Sequence, residues 1–154
     1  MTERGDTNRI DAAISRFAEG FNCSQAVLSA FAGDFGLDDQ AALKIASGFG
    51  GGMGRMADTC GAVTGAFMVL GLRYGQASSD REAKEAIYAR IREFAQRFQA
   101  RHGSLVCREL LECDISTPEG LQRAKDEKVL TTICPKFVRD AVELLEEMLA
   151  LAPG

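Results

Sequence analysis

The chain has no tryptophan, one histidine and three prolines, and none of its five cysteines stands in a C-x-x-C pair. A single histidine excludes a three-histidine metal centre within one chain, and the absence of Glu-x-x-His disfavours a ferritin-like di-iron centre. Without C-x-x-C there is no zinc-ribbon pair and no ferredoxin run. Long apolar segments are missing too. The longest, Cys60 to Leu72, is broken only by Thr64, and its 13 residues fall short of the ~20 that span a bilayer. Positive charge is not in excess: 18 Lys and Arg against 22 Asp and Glu leave a net −4. No sequence-wide attraction to nucleic acid or anionic lipid is therefore expected. The opening MTERGDTNRI lacks an apolar signal region, so export by the general route is not expected and the chain reads as cytoplasmic.

What is present suits a globular protein. The 154 residues suffice for one domain, 1–154, that buries roughly 70% of its unfolded surface without disulfides. In a reducing compartment, cysteines serve as metal ligands, redox thiols or core fillers. Helical spacing dominates: Ile10, Ile14, Phe17 and Phe21 predict a first helix, Ala26, Val27, Ala30 and Phe31 a second, and Ala41, Ala42, Ile45 and Ala46 a third opened by Asp38. From Gly48 to Gly54 five of seven residues are glycine, which predicts a loop. Asp58 and Thr59 are read as caps of a central helix from about Cys60 to Arg73, with Gly61 and Gly65 forming a smooth patch for a close backbone. Asp80 to about Arg101 reads as the longest surface helix, with Glu93 and Arg97 paired. Ser104 is expected to cap a short helix, Thr117-Pro118 to open another, and Pro135 to begin a last one facing inward through Phe137, Ala141, Leu144, Leu145, Met148 and Leu149. The expected fold class is all-α, a compact single-domain bundle of about six to eight helices.

Cys23, Cys60, Cys107 and Cys134 each fall at a predicted helix cap or first turn. Unpaired N–H groups and a partial positive charge there favour thiolate, which is both nucleophile and metal ligand. A buried, space-filling cysteine is the alternative at any one position. Cys113, six residues after Cys107 and about 120° off its helical face, is read as structural or peripheral. The spacings are too wide for a local site, so a shared one has to be assembled by converging helix starts.

The order Cys23, then CGAVTG at Cys60 to Gly65, then Cys107 and Cys134 resembles the C_GCAxxG_C_C family of redox-active proteins. The flanks FNCSQAVL, GFGGGMGRM, CRELLECDISTPEG and ICPKFVRDAVELLEE carry the resemblance over nearly the whole chain. It implies that Cys23, Cys60, Cys107 and Cys134 are the functional set and that Gly61, Ala62 and Gly65 belong to the cofactor-binding motif, and it leaves Cys113 outside. It also implies a functional link to transporters, near whose genes members are often encoded. A related region occurs in split-Soret cytochromes, where an iron–sulfur centre accompanies haem, but this chain has no C-x-x-C-H for haem attachment.

Three functions are weighed. The first is electron transfer or redox sensing through a four-cysteine iron–sulfur cluster, [2Fe–2S] by ligand count, with Cys60 the central ligand. The second is a metal-free thiol–disulfide protein, with Cys60 attacking and Cys23, Cys107 or Cys134 resolving. The third is a structural or sensory zinc module, which lacks the usual paired ligand spacing. The redox partner, the substrate and any homo-oligomer are left open, as is catalysis, because a carrier needs no substrate chemistry. Arg55 could hold an anion near Cys60, although a solvent-facing loop arginine is the commoner case. Met53 and Met56 are expected to pack, His102 to be solvated, and Glu143, Glu146 and Glu147 to form the wet face of the last helix.

Overall fold

The structure, a computed structural model, describes residues 8–150. Most of the opening stretch read for a signal, residues 1–7, lies outside them. The helices are α1 (Arg9–Ala18), α2 (Cys23–Ala32), α3 (Asp39–Ala46), α4 (Gly61–Tyr74), α5 (Arg81–His102), α6 (Cys107–Leu111), α7 (Pro118–Asp126), α8 (Val129–Thr132) and α9 (Cys134–Leu149). Among the described residues there is no strand, only an isolated antiparallel bridge between Thr59 and Val106. No helix is long and apolar enough to cross a membrane among these residues.

The bundle is organised around α4. Its composition, GAVTGAFMVLGLRY, is apolar on nearly every side, and eight of its residues are buried. It packs against α2, α5 and α9. The closest approach is to α2, where a Cβ on Gly65 would lie 2.8 Å from the Ser24 carbonyl oxygen. The α2–α4 spacing therefore depends on a missing side chain. Around this axis Phe31, Phe94, Phe98, Leu70, Leu144 and Leu145 are fully enclosed, the large apolar volumes whose burial drives folding.

Several local expectations hold. Asp38 caps α3, Asp80 caps α5 and Thr117 caps α7, each accepting a backbone N–H three residues on. The Glu93–Arg97 pair closes at 2.8 Å, and the six apolar residues assigned to the inner face of the last helix are all buried.

Others are corrected. Phe21 lies beyond the end of α1, whose chain turns at Gly20 with φ 109°. Ile45 is 52% exposed, because only Ala42 and Ala46 of the short α3 reach the core. Asp58 and Thr59 do not cap α4; Cys60 is itself the N-cap residue, without a side-chain cap bond. Ser104 does not cap α6, whose N-cap is Val106; its hydroxyl accepts the Val106 N–H and donates to Glu109 instead. Helix α9 starts one residue before Pro135, at Cys134. His102 is not solvated: its side chain is 10% exposed, packed against Phe98 and Phe137 and 2.8 Å from Asp140. Glu146 turns inward to Arg9 rather than to water, and Met56 is 60% exposed rather than packed.

Candidate functional site

Four helix starts carry the four cysteines. Cys23, Cys107 and Cys134 are the first residues of α2, α6 and α9, and Cys60 is the N-cap of α4. At α2, Asn22 and Gln25 form a reciprocal capping box, with the Asn22 side chain accepting the Gln25 N–H at 2.9 Å and the Gln25 side chain accepting the Asn22 N–H at 2.9 Å. The Asn22 amide also donates to the Ser47 carbonyl at 3.0 Å, which fixes the start of α2 against the end of α3.

The glycine loop follows. Gly51, Gly52, Met53, Gly54 and Arg55 have consecutive φ values from 61° to 73°, a left-handed turn. This conformation costs a residue with a Cβ about 1–2 kcal/mol, so three of the five are glycine. Backbone bonds pin the turn: Gly54 N–H to Gly48 at 2.7 Å, Ala57 N–H to Gly51 at 3.0 Å and Asp58 N–H to Gly52 at 2.9 Å. The turn aims the Gly51 N–H at the Cys23 sulfur.

Residues 57–60 then run beside 105–108. The Cys60 N–H donates to the Leu105 carbonyl at 2.8 Å, the Cys107 N–H to Asp58, and the Arg108 guanidinium to the Ala57 carbonyl at 3.0 Å. These bonds hold the starts of α4 and α6 together and bring Cys60 and Cys107 onto one wall. Gly61 completes the arrangement: a Cβ there would lie 2.4 Å from the Cys23 sulfur.

All four cysteines line a single cavity of about 510 Å³. The glycine loop, Asn22 and Ser47 contribute polar backbone and amide groups, while Leu110, Leu111, Ile115, Leu130 and Phe137 contribute apolar surface. Of the motif residues assigned to cofactor binding, Gly61 lines the cavity, whereas Ala62 is buried in the core and Gly65 meets the α2 backbone. Cys113 lies outside, its thiol donating to the Gly120 carbonyl at 3.1 Å.

The cysteines are chemically unequal. The Cys60 thiol hydrogen-bonds the Cys23 sulfur and holds the Cys23 pKa below the ordinary value; burial opposes this, and the N–H groups of Gly51, Cys23 and Ser24 support it. Cys60 is pushed well up because it donates to Cys23, with burial and the Cys23 charge adding to the effect. Burial first, then the Cys23 charge, raises Cys107 and Cys134 to about 12. The expectation of four helix starts all favouring thiolate thus holds only at Cys23. At Cys107 and Cys134 loss of water outweighs the helix end, and at Cys60 the interaction with Cys23 does so ahead of burial.

The model of the C_GCAxxG_C_C family, described as "Putative redox-active protein", matches residues 21–148. The chain belongs to this family. Neither a curated protein nor a solved structure matches it. The match spans the four cysteines at the helix starts, and the glycine that follows Cys60 is the one that makes room for the Cys23 sulfur.

Metal-binding geometry was expected at these residues. Among the described residues, no three or more His, Cys, Asp or Glu side chains are gathered closely enough to hold one metal ion. A mononuclear zinc site, which needs four donors around one point, does not fit this arrangement. Four thiolates match the ligand count of a two-iron cluster, and all four cysteines line the one cavity.

Proposed function

We propose that the protein is a thiol–disulfide redox protein whose working couple is Cys23 and Cys60. The observation that carries this reading is the seating of the Cys23 sulfur against the start of α4, 2.4 Å from where a Cβ of Gly61 would stand and beside Cys60, whose thiol lowers the Cys23 pKa. Cys23, poised as thiolate at the start of α2, attacks a disulfide, and one sulfur of that disulfide leaves as thiolate. Cys60 then attacks the Cys23 sulfur, its proton passing to the second departing thiolate. The protein gains a Cys23–Cys60 disulfide, and the substrate disulfide is reduced by two electrons. The roles are the reverse of those expected from sequence, where Cys60 was the attacking thiol.

The test uses the reduced full-length chain and the neutral disulfide 4,4′-dithiodipyridine. Oxidation is expected to consume two thiols without leaving an adduct and to give a Cys23–Cys60 cross-link on non-reducing peptide mapping. Cys60→Ser is expected to stop at a stable mixed disulfide on Cys23. An unreactive Cys23, or a cross-link between other cysteines, would sink this reading.

A second reading, an iron–sulfur cluster for electron transfer or redox sensing, is favoured by one observation: a dithiol needs two cysteines, and four line the cavity. Cys23, Cys60, Cys107 and Cys134 would hold the group, which supplies reversible one-electron storage. The bare N–H groups of the glycine loop, such as that of Gly51, would offset negative charge on sulfur. Anaerobic purification decides it. Iron, acid-labile sulfide and visible absorption that bleaches with dithionite support the cluster, and their reproducible absence removes it.

A further inference from the structure

The lining of the cysteine cavity is electrostatically one-sided. Among the described residues, Arg55 is its only charged side chain apart from the cysteines themselves, and no carboxylate of these residues lines it. Among the described residues, Arg55 makes no ion pair and its guanidinium no hydrogen bond. It also stands at φ 62°, inside a turn where three of the other four residues are glycine and only Met53 shares its conformation with a side chain. A glycine here would remove the strain, so the guanidinium is kept at a conformational cost. The same cavity is lined by apolar side chains, including Leu110, Leu111 and Phe137, and the first residues of α2, α4 and α9 reach it with the positive ends of their helices. The attacking Cys23 is half-buried at this cavity, and Cys60 behind it is 6% exposed. The volume of about 510 Å³ falls within the range of small-ligand pockets.

We infer that this cavity takes a small organic disulfide carrying a carboxylate, with the anionic group at Arg55, the apolar part against Leu110 and Phe137, and the sulfur–sulfur bond at Cys23. This rests on the dithiol reading above. Cys23 and Cys60 are oxidised to their disulfide, the bound disulfide is cleaved to one thiolate and one thiol, and the Cys60 proton leaves on the thiol. Arg55 is a positioning residue, since it acts on the part of the molecule that does not react.

The experiment compares two probes on the full-length reduced chain: the dianionic 5,5′-dithiobis(2-nitrobenzoate) and the neutral 4,4′-dithiodipyridine. Each rate is divided by that of a free small thiol, and the ratio of anionic to neutral rate is the readout. The wild-type ratio is expected to exceed that of the free thiol by about tenfold, the size of one added charge contact in a sheltered site. Arg55→Gly, which suits the backbone, is expected to abolish the excess, and Arg55→Lys to restore part of it. An unchanged ratio in Arg55→Gly, with a Cys23–Cys60 disulfide still formed by the neutral probe, overturns the inference and leaves the dithiol reading standing. Failure of both probes to form that disulfide overturns both.

Discussion

At the scale of single residues, the site depends on atoms that are absent. Gly61 lets the Cys23 sulfur sit where a Cβ would be, 2.4 Å away, with the Phe49 carbonyl at 3.0 Å leaving little room to yield. Gly61→Ala is therefore expected to displace the sulfur, cost about 1–3 kcal/mol of stability and slow formation of the Cys23–Cys60 disulfide at least tenfold. Denaturant unfolding and the rate of cross-link formation measure the two effects, and an unaltered rate would show that the contact is dispensable. The lowered pKa of Cys23 predicts that its alkylation by iodoacetamide reaches half its maximum rate below pH 9.0, while Cys60→Ala moves that midpoint upward by removing the donor of largest effect. Coinciding midpoints in the two proteins would contradict the assigned hydrogen bond.

At the scale of elements, the glycine run and the caps shape the cavity wall. Met53 carries a side chain at φ 71°. Met53→Gly is expected to stabilise the protein by about 0.5–1 kcal/mol, measured by urea unfolding, because relief of left-handed strain exceeds the entropy lost by glycine. Asn22→Ala removes the capping box of α2 and its bond to Ser47, and should cost about 1–2 kcal/mol. The helices were legible in sequence because their apolar spacing and caps are local signals: Asp38, Asp80 and Thr117 announce α3, α5 and α7. The placement of all four cysteines at helix starts was legible for the same reason. The Thr59–Val106 bridge was not, since the contact joins segments far apart in the chain and Asp58-Thr59 has the composition of a helix cap. The left-handed turn was half legible. Its glycines signal positive φ, but nothing marks Met53, Arg55 and Ala57 as sharing it.

At the scale of the molecule, burial sets how the fold responds to alkali. Cys107 and Cys134 rise from 9.0 to about 12, so the stability they contribute is complete below pH 9.0 and lost as pH climbs toward 12. Cys60, also raised, acts in the same sense, whereas the lowered Cys23 contributes stability above 9.0 that disappears as pH falls through its folded pKa. The groups acting on Cys107 besides Cys23 are Asp114 and Cys113, which raise it, and Arg108, which lowers it. The melting temperature of the reduced protein is expected to fall between pH 9 and 12, and Cys107→Ala with Cys134→Ala to flatten that fall. An equally steep decline in the double variant would assign it to other groups. Convergence of the cysteines on one cavity was the least legible property, because wide spacings only require tertiary assembly and do not say where it occurs.

The Gly51 amide gives the protein a built-in probe. Its hydrogen points at the Cys23 sulfur rather than at a carbonyl, so its magnetic environment follows the charge on that sulfur. In a spectrum of ¹⁵N-glycine-labelled protein, that amide is expected far downfield while Cys23 is thiolate and to move upfield when the sulfur is oxidised. One resonance would then report the state of the redox couple without a dye, a label on cysteine or an electrode.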